Sequence, residues 1–165
     1  MEQRQVEANN RTECGHWEGD TMEGASKSGY IVTMTDRRSR LASIRVVPNK
    51  SASIVRKAMV RGLRSLNKPP VLSMTTDNGK EFAEHELFSA SLNVPCYFPN
   101  PYSSWERGSN ENMNGLLRQH FPKGTNFKLI TPAALAHVQR KLNDRPRKCL
   151  GFKTPMEVHY TPNNQ

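Results

Sequence analysis

Two periodicities meet around one carboxylate, Asp77. The apolar run Val71-Leu72-Ser73-Met74 leads into it, and Asn78-Gly79 ends the run directly afterwards. That pattern predicts a buried strand closing in a turn, with a carboxylate at its carboxyl edge, where α/β folds gather their chemistry. Thirty-three residues separate Asp77 from Glu111, which stands at the start of a helical pattern. Met113, Leu116, Leu117 and His120 follow the i, i+3, i+4, i+7 rule and form its apolar face. Glu111, Asn114, Gly115 and Arg118 fall on the opposite face. A strand-end Asp facing a helical Glu, with an Arg two turns further on, suits a divalent cation beside a phosphate.

Upstream, the chain reads as a sheet followed by a helix. In Gly15-His16-Trp17-Glu18-Gly19-Asp20-Thr21-Met22, strand alternation puts Trp17 on one face and Glu18 and Asp20 on the other. Tyr30 to Thr35 has the residue types of a strand, Asp36-Arg37-Arg38-Ser39 those of a turn, and Leu41 to Val47 those of a return strand. These segments predict an antiparallel meander whose first strand carries a carboxylate near its centre. Pro48 ends the sheet, and Ser51 or Ser53 caps a helix. Ile54, Val55, Ala58, Met59, Gly62, Leu63 and Leu66 form its apolar stripe. Arg56, Lys57, Arg61 and Arg64 lie outside the stripe and read as a solvated face.

Downstream of Asp77, a short helix from Lys80 to about Leu92 is expected to turn Ala83, Leu87 and Ala90 inward, before a fifth strand from Val94 to Phe98. The loop formers between Asn100 and Gly108 predict a mobile segment in which Tyr102, Trp105 and Arg107 can stack on or clamp nucleotides. Packing of Trp105 against the core is the alternative. Thr131-Pro132 opens another helix, to about Asn143, with Leu135, Val138 and Leu142 inward. Thr154-Pro155-Met156-Glu157 repeats that start, with Glu157 placed for a capping box. Between them Arg140, Lys141, Arg145, Arg147, Lys148 and Lys153 form the strongest cluster for sequence-independent phosphate contact.

The charge agrees with such a contact. The 165 residues carry a net +9, which points to an anionic partner, most often nucleic acid. The length is that of one domain, read here as residues 14–165, with residues 1–13 a polar leader or linker stub. Cys14, Cys96 and Cys149 are widely spaced and odd in number, with no C-x-x-C, which suits a reducing compartment. No apolar run approaches membrane-span length, and no signal peptide opens the chain. The five histidines lack zinc-ligand spacing and are given no chemistry. Asp36 reads as a turn former, and Asn78 as shaping its turn. Glu18 shares Asp20's face and is an auxiliary ligand candidate.

The element order, three strands, helix, strand, helix, strand and then helices, resembles the ribonuclease-H-like fold, an α/β fold with a five-stranded mixed sheet flanked by helices. In that fold the first and fourth strands are neighbours, which would bring Asp20 and Asp77 together with Glu111 laid across them. Three carboxylates repel one another as a bare cluster. Two Mg²⁺ reverse the balance, leaving a net +1 that attracts a phosphodiester.

The motifs sharpen the resemblance. Trp17-Glu18-Gly19-Asp20, Asp77-Asn78-Gly79-Lys80-Glu81-Phe82, and Tyr97-Phe98 through Pro101-Tyr102 to Trp105-Glu106-Arg107-Gly108-Ser109-Asn110-Glu111-Asn112 resemble the catalytic core of DDE transposases and retroviral-type integrases. They are most like those of the bacterial insertion-sequence 30 family, whose tail pattern is matched by Phe121-Pro122-Lys123-Gly124-Thr125 and Leu142-Asn143-Asp144-Arg145-Pro146-Arg147. The resemblance covers about Cys14 to Tyr160. It implies Mg-dependent cleavage and strand transfer in DNA transposition, with Asp20, Asp77 and Glu111 as catalytic metal ligands, two Mg²⁺, and Mn²⁺ as a substitute. It also implies DNA partners (element ends and target), a homo-oligomer when assembled on DNA, and a bacterial cytoplasmic location. The DNA contacts expected are Arg107, Asn114, Arg118, Arg145, Arg147 and Lys148. Family members carry an amino-terminal helix-turn-helix region, so this chain reads as a catalytic core alone. The alternatives are a nuclease that only hydrolyses and a decayed or domesticated DNA-binding module.

Overall fold

A computed structural model describes residues 11–66, 68–99 and 108–161. Five strands form one mixed sheet: β1 (His16–Glu23), β2 (Tyr30–Asp36), β3 (Ala42–Val47), β4 (Ser73–Thr75) and β5 (Cys96–Tyr97). Their order is β3-β2-β1-β4-β5. The first three make the expected antiparallel meander, while β1–β4 and β4–β5 pair in parallel. The helices are α1 (Ala52–Arg64), α2 (His85–Leu92), α3 (Gly108–His120), α4 (Pro132–Asn143) and α5 (Pro155–Tyr160). Among the described residues, no helix is long and apolar enough to cross a membrane.

Both faces of the sheet are covered, which is why every residue of β2 is buried. On one face Trp17, Val32, Met34 and Met74 pack with Val55, Met59 and Leu63 of α1 and Phe88 of α2. On the other, Met22, Ile31, Ala42 and Ile44 pack with Met113 and Leu117 of α3 and Val138 and Leu142 of α4. The apolar stripes read for α1, α3 and α4 are the ones that pack. The exposed edge of β3 is closed by α4, because Asn143 Oδ1 accepts from Ala42 N at 2.8 Å and Gln139 Oε1 accepts from Ile44 N at 2.9 Å. Both Thr-Pro caps form, the Thr131 side chain accepting from Ala134 N and Thr154 and Glu157 completing a capping box, whereas Ser51 holds the N-cap position of α1 without a side-chain cap hydrogen bond.

The helix expected over residues 80–92 differs. A 3₁₀ turn, Lys80–Phe82, precedes α2, and the break between them shifts the inward face. Phe82 and Phe88 are buried, whereas Leu87 is 54% exposed. A stripe counted along one continuous helix loses register wherever the 3.6-residue period is interrupted.

Candidate active site

Alternation along β1 sends Trp17 to the α1 face and Met22 to the α3 face, so Asp20, even-numbered like Met22, lies on the α3 side. Gly19, just before it, lets α1 and β4 close in: an added Cβ would lie 3.1 Å from Thr76 Cγ2 and 3.2 Å from Met59 Cε. The Asp20 carboxylate is half-buried and accepts from Thr21 N at 2.8 Å through Oδ1 and from Asn114 Nδ2 at 3.0 Å through Oδ2.

In the parallel pairing of β1 with β4, Glu18 stands opposite Thr75. Carrying that register forward two residues sets Asp77, just past the end of β4, level with Asp20. Adjacent strands run about 4.8 Å apart, so this pairing carries the two chain segments side by side toward the same end of the sheet. Asp77 Oδ1 accepts from Gly79 N at 2.7 Å, the Asx-type turn expected of Asp-Asn-Gly. A fourth carboxylate, Glu81, was not singled out by sequence reasoning although it stands within the motif. Its Oε1 accepts from Thr21 Oγ1 at 3.2 Å, and a Cβ on Gly79 would meet both Glu81 Oε2 (2.5 Å) and Asp77 Oδ1 (2.8 Å). Glu81 thus spans from the residue after Asp20 to the turn after Asp77.

Glu111 is exposed in the first turn of α3, one turn before Asn114, whose amide is tied to Asp20. Asn114 therefore engages a carboxylate here, where it was expected to contact DNA. Arg118, one turn further, is also occupied. Its Nη2 donates to Glu23 O at 3.0 Å and its Nη1 to Phe121 O at 3.4 Å, and its guanidinium lies 5.9 Å from the centre of the Phe127 ring. It seams α3 to the end of β1.

Among the described residues, the three-member group of possible metal ligands with all ligand atoms within 4.8 Å of one another is Cys14, Asp36 and His159. The chemistry of this second cluster is that of a clasp. Asp36 Oδ1 accepts from Arg38 N (2.9 Å), Ser39 N (2.8 Å) and Ser39 Oγ (3.0 Å), and its Oδ2 from Gly15 N (2.7 Å), so the carboxylate is engaged by main-chain and hydroxyl donors. Burial, reinforced by the Asp36 charge, pushes the Cys14 thiol up to about 11, so it is a neutral thiol at pH 7. Asp36 is the turn former the sequence implied. Glu18 is not an auxiliary ligand: it is fully buried and forms an ion pair with buried Arg37.

Of the basic residues after α4, Arg145 and Lys148 are exposed, as a phosphate contact requires. Arg147, expected with them, is buried. It is 8% exposed, its Nη2 donates to Leu142 O at 3.0 Å, and its backbone organises the turn that follows. Burial lowers its pKa, with Arg145 as the next cause. Arg107, like Tyr102 and Trp105, lies outside the described residues.

Residues 11–104, more than half of the chain, match the integrase core domain. The chain belongs to that family. This integrase core is 46% identical over 143 residues to the transposase for insertion sequence element IS4351 of Bacteroides fragilis, covering 87% of the chain and 44% of that protein. It is 42% identical over 158 residues to the transposase InsI for insertion sequence element IS30C of Escherichia coli K12, covering 96% of the chain and 41% of that protein. It thus spans less than half the length of these relatives. The catalytic core domain of BIV integrase superposes with a TM-score of 0.67 at 24% identity, over 88% of this chain and 93% of that one. The HTLV-2 integrase catalytic core in complex with magnesium gives 0.68 at 21%, over 88% and 95%. The integrase core therefore has the ribonuclease-H-like fold, as its element order implied.

Proposed function

We propose that this chain is the catalytic core of a DNA transposase, which cuts a phosphodiester at an element end and joins the freed 3′-hydroxyl to target DNA. The observation that supports the reading is the parallel pairing of β1, which carries Asp20, with β4, which ends two residues before Asp77, together with the bond from Asn114, one turn after Glu111, to Asp20. The residues suit Mg²⁺. The donors Asp20, Asp77 and Glu111 are all hard oxygens, and beside Asp20 the Asn114 Oδ1 is buried without a hydrogen-bond partner. Two Mg²⁺, with Mn²⁺ as substitute, would be held by these three carboxylates, and the chemistry supplied when bound is activation of the attacking oxygen and stabilisation of the leaving one.

The protein's own part is positional. The sheet carries Asp20 on β1 and leads into Asp77 just past the end of neighbouring β4, α3 carries Glu111, and Asn114 orients Asp20 by a charge-assisted hydrogen bond. Arg145 and Lys148 meet the DNA backbone, with Arg107, which precedes α3 in the sequence, a further contact. The IS4351 and IS30C relatives are named as transposases of insertion sequences, which favours element ends and target DNA as the partners here. Assembly as a homo-oligomer on DNA and a bacterial cytoplasmic setting belong to the same reading.

The test is Glu111→Gln, which keeps size and hydrogen bonding but removes a charge that balances the metal. Cleavage of pre-nicked ends should fall by orders of magnitude, each factor of ten corresponding to about 1.4 kcal/mol of barrier. DNA affinity without metal should hold or rise slightly. Undiminished cutting would make Glu111 a structural residue and end the three-carboxylate reading. A strand-transfer assay on the parent separates a transposase from a nuclease that only hydrolyses.

A further inference from the structure

Outside the carboxylate edge, a cleft of about 560 Å³ opens between α3, the β2–β3 turn and the segment after α4. Its lining brings together Arg11, Arg40, Arg145, Arg147 and Lys148, from three separate stretches of chain, with Asn112 of α3 on its rim. No Asp or Glu among the described residues lines it. Like charges gathered this way repel, and the effect registers on the groups themselves. The Arg40 pKa is lowered by burial and then by Arg11, against Cys149 and Glu18, and that of Arg147 by burial and then by Arg145, against Cys149. Arg147, more than nine-tenths buried in the wall, leaves its Nε–H without a hydrogen-bond partner. A buried charged donor in that state is costly unless an anion completes the site.

We infer that this cleft binds one backbone phosphate of DNA, on the flank of α3 next to the residue that follows Glu111. A phosphate matches the lining, because its oxygens accept from guanidinium forks and from an ammonium at once. The inference rests on the transposase reading and deepens it. Arg145 and Lys148 become parts of a built site shared with Arg11 and Arg40, rather than independent surface charges.

Sharing one phosphate has a measurable signature. Each phosphate contact contributes about 0.9 to the slope of log affinity against log salt on duplex DNA. Arg40→Gln should lower the slope by about 0.9, Arg145→Gln/Lys148→Gln should do the same, and all three together should lower it by no more than either alone. Arg11→Gln replaces Arg40→Gln if the latter reduces the folded fraction. In parallel, the melting temperature is followed in inorganic phosphate and in chloride at matched ionic strength. Non-additive loss of one contact supports the inference. Additive losses mean separate phosphates and overturn it. An unchanged slope overturns it as well, and a melting shift with inorganic phosphate would then mark a site for a free anion. If the parent binds DNA without salt dependence, the transposase reading fails together with the cleft. If the parent's slope is steep and only the variants fail to change it, the cleft alone is rejected.

Discussion

Asn114 Nδ2 donates to Asp20 Oδ2 at 3.0 Å, tying the middle of α3 to the middle of β1 across 94 residues of sequence. An outer partner of this kind fixes the orientation of a metal-binding carboxylate, and its loss typically weakens metal binding roughly 10–100-fold. Asn114→Ala is expected to reduce Mn²⁺ affinity within that range, with the fold retained. Calorimetric titration with Mn²⁺ measures it, and an affinity equal to the parent's would mean that Asp20 is oriented without α3.

The buried Glu18–Arg37 pair makes an opposite kind of prediction, about stability alone. Removing one member leaves a bare charge in the interior, which costs about 3–5 kcal/mol, whereas replacing both with apolar residues is often neutral. Arg37→Met should therefore be strongly destabilising in urea denaturation, and Glu18→Met/Arg37→Met should recover most of the loss. A double variant as unstable as the single one would show that the pair holds more than its own charges.

Arg118 should behave as a structural residue before anything else. Its guanidinium serves two main-chain carbonyls and the Phe127 ring, and hydrogen bonds to charged groups are worth about 1.5–3 kcal/mol each when buried. Arg118 is only half-buried, so Arg118→Ala is expected to cost about 1–2 kcal/mol in chemical denaturation. An unchanged midpoint, with weaker DNA binding, would return Arg118 to the DNA-contact set.

His159 links stability to pH. It is 3% exposed, its Nδ1 lies 2.8 Å from Ser39 Oγ, and burial holds its pKa below the usual imidazole value, with Asp36 opposing the shift and Arg38 adding to it. The unfolded chain therefore binds the proton more readily than the folded one. The contribution is fully present above about pH 6.5, the unfolded value, and is lost as pH falls through the lower folded value. Melting temperatures taken from about pH 8 down to 5 should decline less in His159→Gln than in the parent. Parallel curves would assign the acid sensitivity to another group.

What the sequence determined by itself was periodic or local. The alternation in β1, the stripes of α1, α3 and α4, the Asp-Asn-Gly turn and both Thr-Pro caps each depend on residues within a turn or two of one another. Their order, through its resemblance to the ribonuclease-H-like fold, implied the sheet and the adjacency of β1 and β4. Tertiary structure decided which polar side chains were already taken. Glu18 is neutralised by Arg37, Arg147 supports the end of α4, Arg118 spans to Glu23, and Asn114 holds Asp20. All but the local Arg147–Leu142 bond depend on a partner brought within about 3 Å by packing, and such a distance has no trace in spacing along the chain. The gathering of Arg11, Arg40 and Arg145 at one cleft is of the same kind, because only the folded sheet and its helices bring those three stretches together.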